Sequence, residues 1–298
     1  MPTASAQAHV LTQKAEGLGQ ALPPLLVRAE KIAATVILGV HGRRVAGPGE
    51  TFWQYRPYGF GDSTQRIDWH RSARSDQVFI RENEWESANT LWLWANGGAR
   101  MRFRSHLAQE TKRDRAQVVA LALASLSARA HERVGGLGAP RGAGYGRIAL
   151  LRLAEWMAAE RPDGLPKATP MQRRSAAVLI SDFLEPIEEI RASISAIAQA
   201  GVRGHLVQIA DPAEETLPYE GRIEFLGMDN PSKYLARKTE TLREDYTRAY
   251  QAQREAVRQL ARGLGWSFSL HRTDATPAEI LLPLHLLVSG AAERGGRA

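Results

Sequence analysis

Asn96, Gly98 and Arg100 follow the apolar run LWLWA in the stretch LWLWANGGARM, residues 91–101. The run reads as a buried strand and the rest as a tight, glycine-containing loop. In an open α/β sheet the crevice beyond the carboxyl end of a strand is where ligands usually bind. Yet a neutral amide, a bare glycine and a guanidinium offer no nucleophile, acid or base. Elsewhere the reactive types do not converge either. There is no G-x-S-x-G elbow and no H-E-x-x-H pair. GGLGAPRGAGYGR is glycine-rich, but Arg141 stands where a phosphate cradle needs its third glycine, and no Gly-Lys-Ser/Thr follows. It reads as a β–α connection. The eight histidines are scattered, and His131 and His205 read as helix-end or packing residues. Glu214 and Glu215, in DPAEE, read as a solvated turn. With no cysteine, disulfides and thiolate chemistry are excluded. The expectation is a non-enzyme with no catalytic residue, no cofactor and no bound metal.

The elements that must position such a loop show in the periodicity. Residues 22–38 have apolar spacing of three and four after two prolines, which predicts a helix. Residues 39–76 are rich in Gly, Pro, Arg and aromatics with no sustained period. They read as an ordered, irregular segment whose Trp53, Tyr55, Tyr58, Phe60 and Trp69 need burial. From Val78 the alternation predicts one or two strands, the second being TLWLWA. Residues 114–131 predict a strong helix capped by Asp114. ERVGGLGAP, SAAVLISD, GHLVQIAD and WSFSLHRT read as strands, and GRIALLRLAEWMAAE, EPIEEIRASISAIAQA and TPAEILLPLHLLVSG as helices, with Gly201 as a stop. EGRIEFLGM reads as a short edge strand, and about 232–262 as one long amphipathic helix. Strand and helix in alternation predict an α/β fold: a doubly wound, mostly parallel sheet flanked by helices, preceded by the irregular Arg/aromatic-rich segment.

The net charge of +7 and pI of about 9.9 invite a nucleic-acid reading. Against it, acids are interleaved with bases throughout, and the densest basic cluster, Arg100 with MRFRS, has few aromatics to stack bases. A basic nucleic-acid-binding module is therefore the alternative, not the leading reading. No uncharged apolar run approaches the roughly 20 residues of a bilayer span, and the N-terminus lacks the pattern of a signal peptide. A cytoplasmic protein is expected.

The most specific stretch is YRPYGFGDSTQRIDWHRSARSDQVFIRENEWE, residues 55–86. Its Arg56, Tyr58, Gly61, Asp62, Arg66, Asp68, Trp69, Ser72, Arg74, Arg81 and Glu86 resemble the signature of the bacterial domain-of-unknown-function family 58 (DUF58), whose members carry a von Willebrand factor type A-like domain. The likeness continues through LWLW, ERVG, VLISDF, ADPAEE and HRTDATPAEILLPLH. Read without it, Asp62 and Asp68 among Arg56, Arg66, Arg71 and Arg74 suggest an ion-pair network fastening a loop. The resemblance implies domains at 22–87 (helix plus signature segment packed on the core) and 88–290 (type A-like), with a flexible 1–21 and a tail at 291–298.

The resemblance also implies a metal loop. Type A domains place Asp-x-Ser-x-Ser after the first core strand, a Thr from a second loop and an Asp from a third, all hard oxygen donors as Mg²⁺ demands. Aligning Met101 with the Met of the family's D-x-S-x-S-M puts Asn96 at the Asp position and Gly98 and Arg100 at the serines. A unit positive charge about 4 Å from another costs about 4 kcal/mol at an effective dielectric of about 20. No second-loop Thr is found in GAPRGAGYG, while the third-loop acid survives as Asp182. The expectation is a degenerate metal site in which Arg100 or a nearby arginine pairs with Asp182. The plainer alternative has Arg100 in solvent and Asp182 capping the following helix near Glu185. A further functional alternative, beside the nucleic-acid module, is a metal-dependent type A-like domain that retains a divalent ion. Family likeness further implies a partner, a MoxR-type AAA+ ATPase, in maturation or assembly of an unidentified client protein.

Overall fold

The computed structural model describes residues 24–40, 52–58, 69–74, 77–83, 90–159, 164–172, 175–228 and 232–289. The expected flexible N-terminus and tail lie outside these residues. In chain order the elements are α1 (Pro24–Val40), β1 (Phe52–Pro57), α2 (Trp69–Ser72), β2 (Phe79–Asn83) and β3 (Thr90–Ala95). A 3-10 turn (Ala99–Arg102), α3 (Lys112–Arg129), β4 (Arg133–Gly136), α4 (Gly146–Ala158), β5 (Ala176–Ser181), α5 (Ile187–Ala198) and β6 (Arg203–Ala210) follow. The chain closes with α6 (Pro212–Thr216), β7 (Ile223–Leu226), β8 (Lys233–Ala236), α7 (Thr239–Gly263), β9 (Ser267–Arg272) and α8 (Pro277–Val288). The chain packs as two compact units, Met1–Gly39 with Asn89–Ala298, and Val40–Ala88.

The larger unit holds a five-stranded parallel sheet of order β4-β3-β5-β6-β9. Its central strands β3 and β5 are apolar on both faces, as a sheet covered twice requires. Along β5, Ala176, Val178 and Ile180 join one core while Ala177 and Leu179 join the other. Leu91, Leu93 and Ala95 of β3 follow the same alternation against Trp94. The first core collects α1, α3, α4 and α8, and the second α5 and α7. The doubly wound α/β fold expected from the sequence is therefore present, in an arrangement consistent with type A-like and Rossmann-like folds. Helix α3 is buried all round because α4, α8 and the sheet surround it; Ala116 through Leu126 are buried without a break, and the buried Gln117 is matched by donating to the Met157 carbonyl at 2.6 Å. Its cap is not Asp114, as expected, but Thr111, whose hydroxyl accepts from the Asp114 backbone N–H at 3.1 Å. The helix starts two residues earlier than the apolar pattern because Lys112 and Arg113 extend it. Helix α1 presents Leu26, Ala29, Ala33 and Val36 to the first core.

The long C-terminal helix begins at Thr239, not near 232. Residues 233–236 instead form β8, which pairs antiparallel with β7 (Phe225 opposite Tyr234) in a separate two-stranded ribbon. A strand partner ten residues away outweighs the weak helical pattern of SKYLA.

In the unit Val40–Ala88, β1 pairs antiparallel with β2, Tyr55 opposite Arg81 and Arg56 opposite Ile80. The sequence showed no strand at β1, since six residues of aromatics and polar groups carry no long period. The aromatics suit a strand once a partner is supplied from across the segment. Ser72 of α2 accepts from the Phe79 backbone N–H at 2.9 Å, and Tyr58 N–H donates to Val78 at 2.7 Å. The expected burial of the aromatics does not hold at Trp69, which is 66% exposed, or at Tyr58, and Arg74 is exposed as well. Gly61, Asp62, Arg66, Asp68 and Glu86 lie outside the described residues, as do the side chains of Arg56 and Arg81. The expected Asp–Arg network falls there.

Candidate functional site

Taken in chain order, the five sheet strands lie 2-1-3-4-5, so the order reverses between β3 and β5. Open α/β sheets bind ligands at such a switch point, beyond the carboxyl ends of the strands. Asn96 leaves β3 and Asp182 leaves β5 at that point, and both are buried.

The crest is closed by its own groups. Asn96 Oδ1 accepts from the Gly98 backbone N–H at 2.9 Å, an Asx turn that folds the loop, and Asn96 Nδ2 donates to Ser181 Oγ at 3.0 Å. Met101 of the 3-10 turn is fully buried beneath. Arg100 does not pair with Asp182 as expected; it donates to Glu185 Oε1 at 2.5 Å. Nor does it stand free in solvent, and Asp182 does not serve as the α5 cap. The cation on Asp182 is Lys112, whose Nζ lies 3.0 Å from Asp182 Oδ2 and 2.5 Å from Glu214 Oε1. Lys112 is 1% exposed. Burial alone would pull its pKa down, but the two carboxylates more than offset that and hold the ammonium above its ordinary range. Burial pushes the Glu214 carboxyl up, against the pull of Lys112. Burial and the Asp182 charge push Glu185 up in the same way.

Glu214 and Glu215 are thus not solvated. Asp211 and Glu214 form a reciprocal capping box on α6, and Asp211 Oδ2 also accepts from the Ser105 backbone N–H at 2.9 Å. Glu215 pairs with Arg254 of α7 at 2.5 Å, and Arg254 reaches Gln208 of β6 at 3.1 Å. Gln208 in turn donates to the Asp182 carbonyl at 2.9 Å. A second buried knot lies beyond β9. Arg115 pairs with Glu110, donates to the Thr273 carbonyl at 2.8 Å and contacts His271 Nε2 at 2.9 Å. Glu110 also pairs with Arg28, tying α1 to the loop before α3. Burial, then the Arg115 charge, lowers the His271 pKa to about 4. His205, packed in the sheet against Ser267, is lowered to about 4 by burial and Arg203. His131 sits in a left-handed turn just past α3, so both histidines take the structural places expected of them.

A divalent ion does not fit this crest. Its acid carries an ammonium, its amide turns an N–H inward, and Gly98 has no side chain. Among the described residues no group of three or more His, Asp or Glu is arranged to hold a metal. In the loop after β4, Gly144 bridges back to Val134 at the sheet edge, opposite Leu91 near the start of β3.

Beside the crest the β7–β8 ribbon exposes Leu226, Met228, Tyr234 and Leu235. Edge-on ring contacts from His106 to Tyr219 and from Tyr219 to Phe225 lead from the crest loop to it. Among the described residues no helix is long and apolar enough to cross a membrane.

Comparisons with known proteins agree with the signature. Two relatives are each 28% identical over 276 residues, 86% of this chain and 85% of theirs: "Uncharacterized protein Mb1516" of Mycobacterium bovis and "Uncharacterized protein Rv1480" of Mycobacterium tuberculosis. Solved structures align more distantly. The conserved hypothetical protein BatB from Bacteroides thetaiotaomicron is 10% identical with a TM-score of 0.38, covering 69% of this chain and 100% of that one. An aerotolerance-related membrane protein from Bacteroides fragilis is 9% identical with a TM-score of 0.40, covering 68% and 100%. The family described as "Protein of unknown function DUF58" matches residues 54–256, from the β1–β2 hairpin through the crest into α7, and the chain belongs to that family.

Proposed function

We propose that this chain is a non-enzymatic adaptor of the cytoplasm, working with a MoxR-type AAA+ ATPase in the maturation or assembly of other proteins. One observation supports this above others. At the switch point, where an α/β enzyme or metal protein would keep reactive groups open, the polar side chains are spent on one another: Lys112 on Asp182 and Glu214, Arg100 on Glu185, Asn96 on Ser181. A crest so closed presents a shape, and shapes dock partners. The exposed apolar ribbon next to it supplies the desolvating area that docking needs. The metal site of the type A-like fold is degenerate in this reading.

The test is capture of a purified MoxR-type ATPase by the full-length chain, with and without nucleotide. Retention is expected, and Leu235→Asp should weaken it at least about tenfold, the loss of one well-buried anchor. Failure to retain any such ATPase sinks the adaptor reading.

A further inference from the structure

Lys112 stands where helix physics disfavours a cation. It is the first residue of α3, where unpaired backbone N–H groups and the macrodipole already carry positive charge. It is also fully buried, which lysine almost never tolerates unpaired. Both costs are met only at its tip. An ammonium has three donors. One faces Asp182 Oδ2 at 3.0 Å, one faces Glu214 Oε1 at 2.5 Å, and the nitrogen lies 5.8 Å from the centre of the Phe103 ring. Asp182 comes from the end of β5, and Glu214 follows the end of the adjacent strand β6, so the sheet itself fixes the acids. The remaining oxygens are matched: Glu214 Oε2 accepts from the Asp211 backbone N–H at 3.0 Å, and Asp182 Oδ1 faces the Ser181 hydroxyl at 3.4 Å. A Mg²⁺ ion would need oxygen lone pairs at about 2.0–2.1 Å in octahedral array. It would meet instead a charge of its own sign.

We propose that the Lys112 ammonium is a built-in cation. It clasps the start of α3 to the loops after β5 and β6 in place of a dissociable divalent ion, so the crest keeps one arrangement whatever the ion supply. This rests on the degenerate-site reading above and goes beyond it by naming the group that replaces the metal.

The experiment uses the full chain. Titration with Mg²⁺ and Mn²⁺ by calorimetry should release no heat of binding, and neither ion nor EDTA should move the melting temperature. An amine-reactive reagent applied to the native protein should modify Lys167, Lys233 and Lys238, which are exposed, and spare Lys112. Lys112→Met should lower the melting temperature by about 10 °C, because it strands a buried carboxylate. Adding Asp182→Asn should restore part of the loss by removing the stranded charge. Micromolar Mn²⁺ binding overturns both this inference and the degenerate-site reading. Absent metal binding, Lys112 modified as fast as Lys238, or Lys112→Met melting within about 2 °C of wild type, overturns this inference alone. If Lys112→Met does not fold, the labelling of the native wild-type chain decides.

Discussion

Single residues set this protein's response to acid. His205 and His271 are held at about 4 in the folded chain, below the ordinary 6.5. At these two sites the unfolded chain binds more protons between those values, so each histidine contributes stability that rises with pH across that window, opposed by Glu185 and Glu214, whose raised carboxyls contribute the other slope. Falling from pH 6.5 to 4, each histidine should cost on the order of 3 kcal/mol. Denaturant melts at intervals through the window should show this slope, and His271→Asn should flatten it; an unchanged slope in that variant removes His271 as a cause. The residues of the crest were only partly legible in the sequence. Asn96, Gly98, Arg100 and Asp182 were found because they follow strands that read clearly. Lys112 was missed because its partners lie 70 and 102 residues away and a lysine at a helix start reads as solvated. The one available signal was its clash with the helix dipole. Glu214 was missed for a related reason, since a charged turn gives no sign that a buried cation lies above it.

At the scale of elements, the sheet depends on close approach as much as on apolarity. Gly204 of β6 lies under the ring of Trp266, and a Cβ built there would stand 1.7 Å from the indole. Trp266 is itself buried in the second core. Gly204→Ala should therefore cost about 3 kcal/mol, at the upper end of overpacking penalties. It should appear as a lowered urea midpoint with unchanged slope; a midpoint equal to wild type shows that the ring has room to move. The parallel strands and the helices between them were legible because period and length agree there. Of the two antiparallel pairs, β2 and β7 were legible from their alternation, while their partners β1 and β8 were not: both are short and owe their strand state to a partner elsewhere in the chain, which no local pattern announces. The same feature explains why α7 starts late: local helical preference in SKYLA is weak, and pairing with β7 decides.

At the scale of the whole molecule, the net charge of +7 is distributed rather than gathered, and many arginines are spent inside: Arg115 on Glu110, Arg254 on Glu215, Arg100 on Glu185. Retention on duplex DNA should consequently be weak at physiological salt; a steep loss of tight binding with rising salt would revive the nucleic-acid alternative. Helix α1 belongs to the same compact unit as the sheet, although Val40–Ala88 separates them in the chain. Leu26 and Val36 each contribute about 1.5–3 kcal/mol of burial there, and Arg28 adds its pair with Glu110. Peptide continuity between residue 40 and residue 89 is thus not what keeps that helix in place. If a protease site were engineered into the intervening segment and cut, the two fragments should part on a denaturing gel yet migrate as one species under native conditions. Residues 40–88 are thus an insertion in the chain that interrupts the larger unit in sequence without dividing it in space, so the sheet unit closes on itself through side chains alone.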